Sequence, residues 1–168
     1  MNLFIVSGAP NTGKSTTVYH LCTYLLNLGY VKTDIPYNGK RYSTSFPPIL
    51  ANDFSCLLEK EGKKVLIHTA TDDVFNIDAL VNSINNHKPS IVITTCRDFG
   101  DWPRDYFCSQ LKLVNSFILA STSDIDIEEF PLSRITRRTT RFATAYEWYF
   151  INSTHQIEKI LSLPPYSI

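Results

Sequence analysis

Near the start of the chain stand Gly8, Ala9, Pro10, Asn11, Thr12, Gly13, Lys14, Ser15 and Thr16, a run that places two glycines, an amine and three hydroxyls side by side. Residues 8–15 meet the spacing G-x-x-x-x-G-K-[ST] at every fixed position, with an apolar run before them and a helical pattern after. The chemistry this suits is anion binding. Glycines let the backbone curl until successive N–H groups converge on one phosphate, at the positive end of a helix. Lys14 is then placed to bridge β- and γ-phosphate oxygens, Ser15 to put its hydroxyl on Mg²⁺, and Thr16 to neighbour the α-phosphate.

Such a loop needs a carboxylate for the metal, at the end of a buried strand beside the first or one removed from it. The run 65–68 leads into Asp72 and Asp73, and the run 91–95 leads into Arg97 and Asp98. Ligands bind at the carboxyl ends of strands in open α/β sheets, which makes Asp72 and Asp73 the expected magnesium shell. The competing reading is that one of them caps the following helix while the other is solvated. Arg97 is expected to stabilise charge on a transferring phosphoryl group, or else to pair with Asp98 or Asp101. Asp53, just before the strand that starts at Phe54, reads either as facing the ligand or, preferably, as a turn residue after Asn52. Lys14, Asp72 and Arg97 form the expected catalytic set.

A further cationic feature is the stripe Arg134, Arg137, Arg138 and Arg141, which share one face if the segment is helical. It reads either as a phosphate clamp or as a solvated face neutralised by Asp124, Asp126, Glu128 and Glu129.

The elements that must position these groups follow from periodicity. Residues 3–7 form a continuous apolar run, as in a strand buried on both faces. Val18, Leu21, Cys22, Leu25 and Leu28 make a helical stripe, and Gly29 stops it. Asn38-Gly39 predicts a hairpin between 30–33 and 41–46, and Glu61-Gly62 a second one between 54–58 and 64–68. A helix is expected over 73–86 with Ile77, Leu80, Val81 and Ile84 inward. Strands follow at 91–95 and 114–120, and helices at 102–111 and 143–161. Strands alternating with helices predict an α/β fold with a three-layer, mostly parallel sheet, formed by residues 1–168 as one domain.

The loop resembles that of the P-loop NTPase superfamily, and the likeness covers about the first thirty residues. Gly8-Ala9-Pro10 with Gly13-Lys14-Ser15-Thr16 is similar to loops of small-molecule and nucleotide kinases, whose arginine-bearing lid the 134–141 stripe would supply. Pro10-Asn11 also looks like the loops of several GTPases. That second likeness then fails. Where Asp-x-x-Gly should begin stands His68-Thr69-Ala70-Thr71, and where Asn-Lys-x-Asp should read guanine stands Thr95-Cys96-Arg97-Asp98. The resemblance therefore implies ATP rather than GTP, with Mg²⁺, and a small phosphotransferase or ATP hydrolase. The alternative is a nucleotide-switched binding module, in which the aromatic segment 30–53 (Tyr30, Tyr37, Tyr42, Phe46) orders for a protein partner.

Composition narrows the remaining classes. Hydrophobic residues are 43% and charged residues 19%, which is globular, and the formal net charge of zero argues against nucleic acid and anionic membranes as partners. Cys22, Cys56, Cys96 and Cys108 lack metal-ligand spacing and read as reduced thiols. No run reaches the ~18 apolar residues of a membrane span, and the apolar opening lacks a basic leader, so a cytoplasmic location is expected.

Overall fold

A computed structural model describes residues 1–36, 53–113, 125–132 and 143–168. The hairpin expected at Asn38-Gly39, the strand expected over 114–120, the aromatics Tyr37, Tyr42 and Phe46, Asp124, and the stripe Arg134, Arg137, Arg138 and Arg141 lie outside the described residues.

The elements run β1 (Asn2–Ser7), α1 (Lys14–Asn27), β2 (Val31–Asp34), β3 (Ser55–Lys60), β4 (Lys63–His68), α2 (Val74–His87), β5 (Ile91–Cys96), α3 (Arg104–Gln110), β6 (Asp126–Pro131) and α4 (Ala143–Leu161). The six strands form one sheet in the order β2-β3-β4-β5-β1-β6. β4, β5, β1 and β6 are mutually parallel, whereas β3 runs antiparallel to both β2 and β4. The fold is therefore α/β around a mostly parallel sheet.

Alternation along the central strands divides the core into two faces. Phe4, Val6, Val65, Ile67, Ile91 and Ile93 pack with Val18, Leu21, Cys22 and Leu25 of α1 and with Ile157 and Leu161 of α4. Leu3, Ile5, Leu66 and Val92 pack on the other face with Ile77 and Leu80 of α2 and with Phe107 and Cys108 of α3. Helices on both faces explain why these strands read as unbroken apolar runs: each side chain meets a core whichever way it points. Each fully buried Leu, Ile or Phe contributes about 1.5–3 kcal/mol, so among the described residues the stabilising burial is concentrated at the centre of the sheet. Among the described residues no helix is long and apolar enough to cross a membrane.

Two stretches depart from the sequence reading. The acidic segment expected to neutralise the arginine stripe is in part β6, the outermost strand among the described residues, paired in parallel register with β1 from Asn2↔Asp126 to Ser7↔Pro131. Ile127 and Phe130 pack inward from it, while Asp126, Glu128 and Pro131 are exposed and hid the strand. Of the first helix's stripe, Leu28 is exposed, because the helix has already reached its C-cap there.

Candidate functional site

β1 delivers the chain to the loop at 8–13, and both flanking strands hold the base of that loop. Gly8 N–H donates to Cys96 O at 3.2 Å, and Leu132 N–H donates to Ser7 O at 2.8 Å. The space at Gly8 is tight. A Cβ there would lie 2.7 Å from Thr12 Oγ1 and 3.1 Å from Leu132 O, so glycine is demanded by close approach. Asn11 and Gly13 turn the chain with φ of 62° and 90°. Thr12 Oγ1 donates to Ala9 O at 2.9 Å, closing the loop on itself. Lys14 is folded back over it, its Nζ donating to Gly8 O and Ala9 O at 2.9 Å each.

The helices on the two sides of the cleft begin differently. Asp73 caps α2, accepting from Asn76 N–H at 2.9 Å and from the Asn76 amide at 2.8 Å. No described side chain caps α1, whose N-cap is Gly13 in a left-handed conformation. The first N–H groups of α1 therefore face the loop without a local acceptor, which is the arrangement that receives an anion.

A cleft of about 400 Å³ lies over this loop, lined by Pro10, Asn11, Gly13, Lys14, Ser15 and Thr16 together with Asp53, Thr69, Asp72, Thr95 and Arg97. The loop residues expected to bind phosphate thus come together with Asp72 and Arg97. Asp73 does not line the cleft, and its carboxylate is committed to the start of α2. The expected metal role fits Asp73 poorly for that reason, and the helix-cap reading describes it instead.

The carboxylate that meets the loop is Asp53. Ser15 Oγ donates to Asp53 Oδ1 at 2.7 Å. Asp53 stands just before β3, and β3 alone among its neighbours runs the other way, so its start lies at the edge where β1, β4 and β5 end. The sequence reading looked for acids after strands and left Asp53 in a turn. Burial pushes the Asp53 carboxyl above its ordinary value, the hydroxyls of Ser15 and Thr69 oppose that, and the charge of Asp72 adds to it. Burial likewise lowers Lys14, with the Arg97 guanidinium pushing the same way and Asp72 and Asp98 against it.

Hydroxyls fasten the strand ends beneath the cleft. Thr94 Oγ1 donates to His68 O and Thr95 Oγ1 to Thr69 O, both at 2.7 Å, and Thr71 Oγ1 lies 2.9 Å from Thr95 Oγ1. His68 Nε2, fully buried, lies 2.8 Å from Ala70 O and 3.1 Å from Asn76 O, tying the β4–α2 turn to the helix that follows. Desolvation holds its imidazole down at about 4, hence neutral. Thr69 and Thr95 line the cleft without having been singled out in the sequence. The switch from aliphatic to hydroxyl side chains at the ends of β4 and β5 was the available signal.

Arg97 pairs with Asp72, Nη2 to Oδ2 at 2.8 Å, rather than with Asp98 or Asp101. Behind it Arg104 Nη1 donates to Arg97 O at 2.9 Å while its guanidinium grips Glu129 of β6. Among the described residues there is no cluster of three or more His, Cys, Asp or Glu side chains able to hold a metal alone. A magnesium ion does not require one, since it keeps several waters and takes one or two protein oxygens beside those of a phosphate. Ser15 Oγ and Asp53 Oδ1 are such a pair of hard oxygens. Comparison with known proteins returns no match to this chain, whether with family models, curated proteins or solved structures.

Proposed function

We propose that the chain is a P-loop nucleoside-triphosphate-binding protein, and that it acts with Mg²⁺ as a small phosphotransferase or triphosphate hydrolase. The observation that carries this reading is the Ser15–Asp53 contact of 2.7 Å at the mouth of an uncapped helix whose loop meets every fixed position of the motif. A hydroxyl and a carboxylate in contact, beside an amine and a cradle of N–H groups, match what a magnesium–triphosphate complex presents.

In this reading the N–H groups at the start of α1 hold the phosphate chain, and Lys14 leaves the loop carbonyls to neutralise phosphate oxygens. Ser15 and Asp53 hold the metal, which when bound neutralises charge developing on the β- and γ-phosphates. Asp53 replaces Asp72 and Asp73 as the anchoring carboxylate. Thr16 faces the same cleft near the phosphates. Arg97, which lines the same cleft, is the second cation available to phosphate charge beside Lys14. Of Asn-Lys-x-Asp only the final carboxylate has a counterpart, Asp98, so the guanine motif is broken and ATP is the favoured ligand over GTP. The phosphoryl acceptor is a small molecule or water.

Calorimetric titration of the full chain with ATP and Mg²⁺ tests this. Lys14→Ala should weaken binding about a hundredfold, some ~2.7 kcal/mol, while the melting temperature holds, because among the described residues Nζ bonds the loop carbonyls of Gly8 and Ala9. Equal affinity in the two proteins would overturn the assignment.

A further inference from the structure

The cleft is lined by an ion pair, Arg97 with Asp72, whose two members are unequally placed. The Arg97 side chain is 16% exposed and the Asp72 side chain 54%. Arg97 cannot follow its partner into water, whereas Asp72 is already half there. Arg97 is also held from behind, since Arg104 fixes its backbone carbonyl and is itself fixed by Glu129.

The pair is incomplete on one edge. A guanidinium offers Nε–H and Nη2–H side by side, a fork that matches two oxygens of a carboxylate or phosphate. Asp72 takes only Nη2. Nε is buried with no hydrogen-bond partner among the described residues. A buried donor left unmet is unfavourable, and one beside an open cleft calls for a partner that a ligand or a water can supply.

Charge in the cleft points the same way. Lys14, Arg97, Asp53 and Asp72 all line it, and the Lys14 amine already feels the Arg97 charge. An arriving polyphosphate supplies the anions itself. Asp53 then keeps a role beside Ser15, but Asp72 becomes a like charge next to phosphate oxygens, and its exposure lets it leave at little cost.

We propose that Arg97 is the group that recognises the third phosphate, and that Asp72 is a displaceable counter-ion which holds Arg97 in place until that phosphate takes over both Nε and Nη2. The site would then select a nucleoside triphosphate over the diphosphate. This rests on reading the loop as a nucleotide site, and it assigns Asp72 the opposite effect from a metal anchor: Asp72 competes with the ligand instead of supporting it.

The test is calorimetry of the full chain with ATP and with ADP, each with Mg²⁺, for wild type, Arg97→Ala, Asp72→Asn and Lys14→Ala. A charge-assisted contact of about 1.5–3 kcal/mol corresponds to a preference for ATP of roughly tenfold or more in wild type. Arg97→Ala should abolish that preference by weakening ATP while leaving ADP as it was. Asp72→Asn should tighten ATP severalfold and widen the preference. An intact preference in Arg97→Ala, or weaker ATP binding in Asp72→Asn, overturns the proposal. If ATP binding is lost in Lys14→Ala yet the ratio ignores Arg97, the nucleotide reading survives and only this inference fails. Should wild type bind neither nucleotide, both fall. Asp72→Asn alters a half-exposed side chain, so it decides the question even if Arg97→Ala folds poorly.

Discussion

Arg104 and Arg97 each hold a carboxylate at 2.8 Å, and both arise from the stretch that follows β5, yet the two pairs are built for different ends. Arg104 is 4% exposed, bonds both oxygens of Glu129 and also donates to Arg97 O. It locks α3 to the edge strand β6 below the loop. Arg97 touches one oxygen of a half-exposed Asp72 and keeps a buried Nε unmet. Saturated geometry leaves a ligand nothing to gain, whereas incomplete geometry beside an open cleft leaves it a good deal. The salt bridge alone does not distinguish structure from function; the surroundings of its unused N–H groups do.

The largest expected effect falls on the saturated pair. Arg104→Ala strands Glu129 beneath the sheet edge and should lower unfolding stability by about 3 kcal/mol, as breaking a buried pair does. Urea denaturation reads this directly, and a loss under 1 kcal/mol would erase the contrast between the pairs.

Acid should expose a second contrast, between Glu129 and Asp53. Burial pushes Glu129 up, but the hydrogen bonds from Arg104 and Ser7 and the Arg104 charge outweigh it and leave the carboxyl below its ordinary value. Its stabilising contribution is therefore present above the ordinary carboxylate range and lost as pH falls through the folded value. Asp53 is raised, so its sign is reversed: stability is fully present below its unfolded value and lost as pH rises through the folded one. In metal-free protein Asp53→Asn should melt above wild type at pH 7, and the gap should close below about pH 4. Glu129→Gln should melt below wild type at pH 7 and converge with it in acid. Thermal melts across that range check both, and parallel curves for the two variants would refute the opposed signs.

The smallest effect on folding belongs to the cleft pair. Arg97→Ala should cost no more than about 1 kcal/mol, since its partner is half in water already. A larger loss in the same urea series would make Arg97 a structural residue like Arg104.

Much of the architecture was legible in the chain. The Glu61-Gly62 turn marks the β3–β4 hairpin because both residues sit there with positive φ, at 50° and 79°. The stripe of α2 follows the expected face, with Ile77 and Leu80 buried and Val81 and Ile84 packed at its margin. β6 was hidden because Asp126, Glu128 and Glu129 make it look like an acidic loop, and its pairing partner β1 lies far away in sequence. Nothing local to 126–131 reveals that Glu129 has an arginine waiting twenty-five residues upstream.

By itself the sequence determined the Gly8–Ser15 loop and its two flanking elements, because every requirement there is local. A strand brings the chain in, glycine permits the close approach at Thr12, and a helix opens with free N–H groups. Which carboxylate meets Ser15 was decided by tertiary structure alone. An acid reaches the ligand edge by following a parallel strand or by preceding an antiparallel one, and strand direction is set by pairing across the sheet. β3 pairs antiparallel to β4, and that single choice brings Asp53 to Ser15, while the local chemistry of a helix start draws Asp73 away.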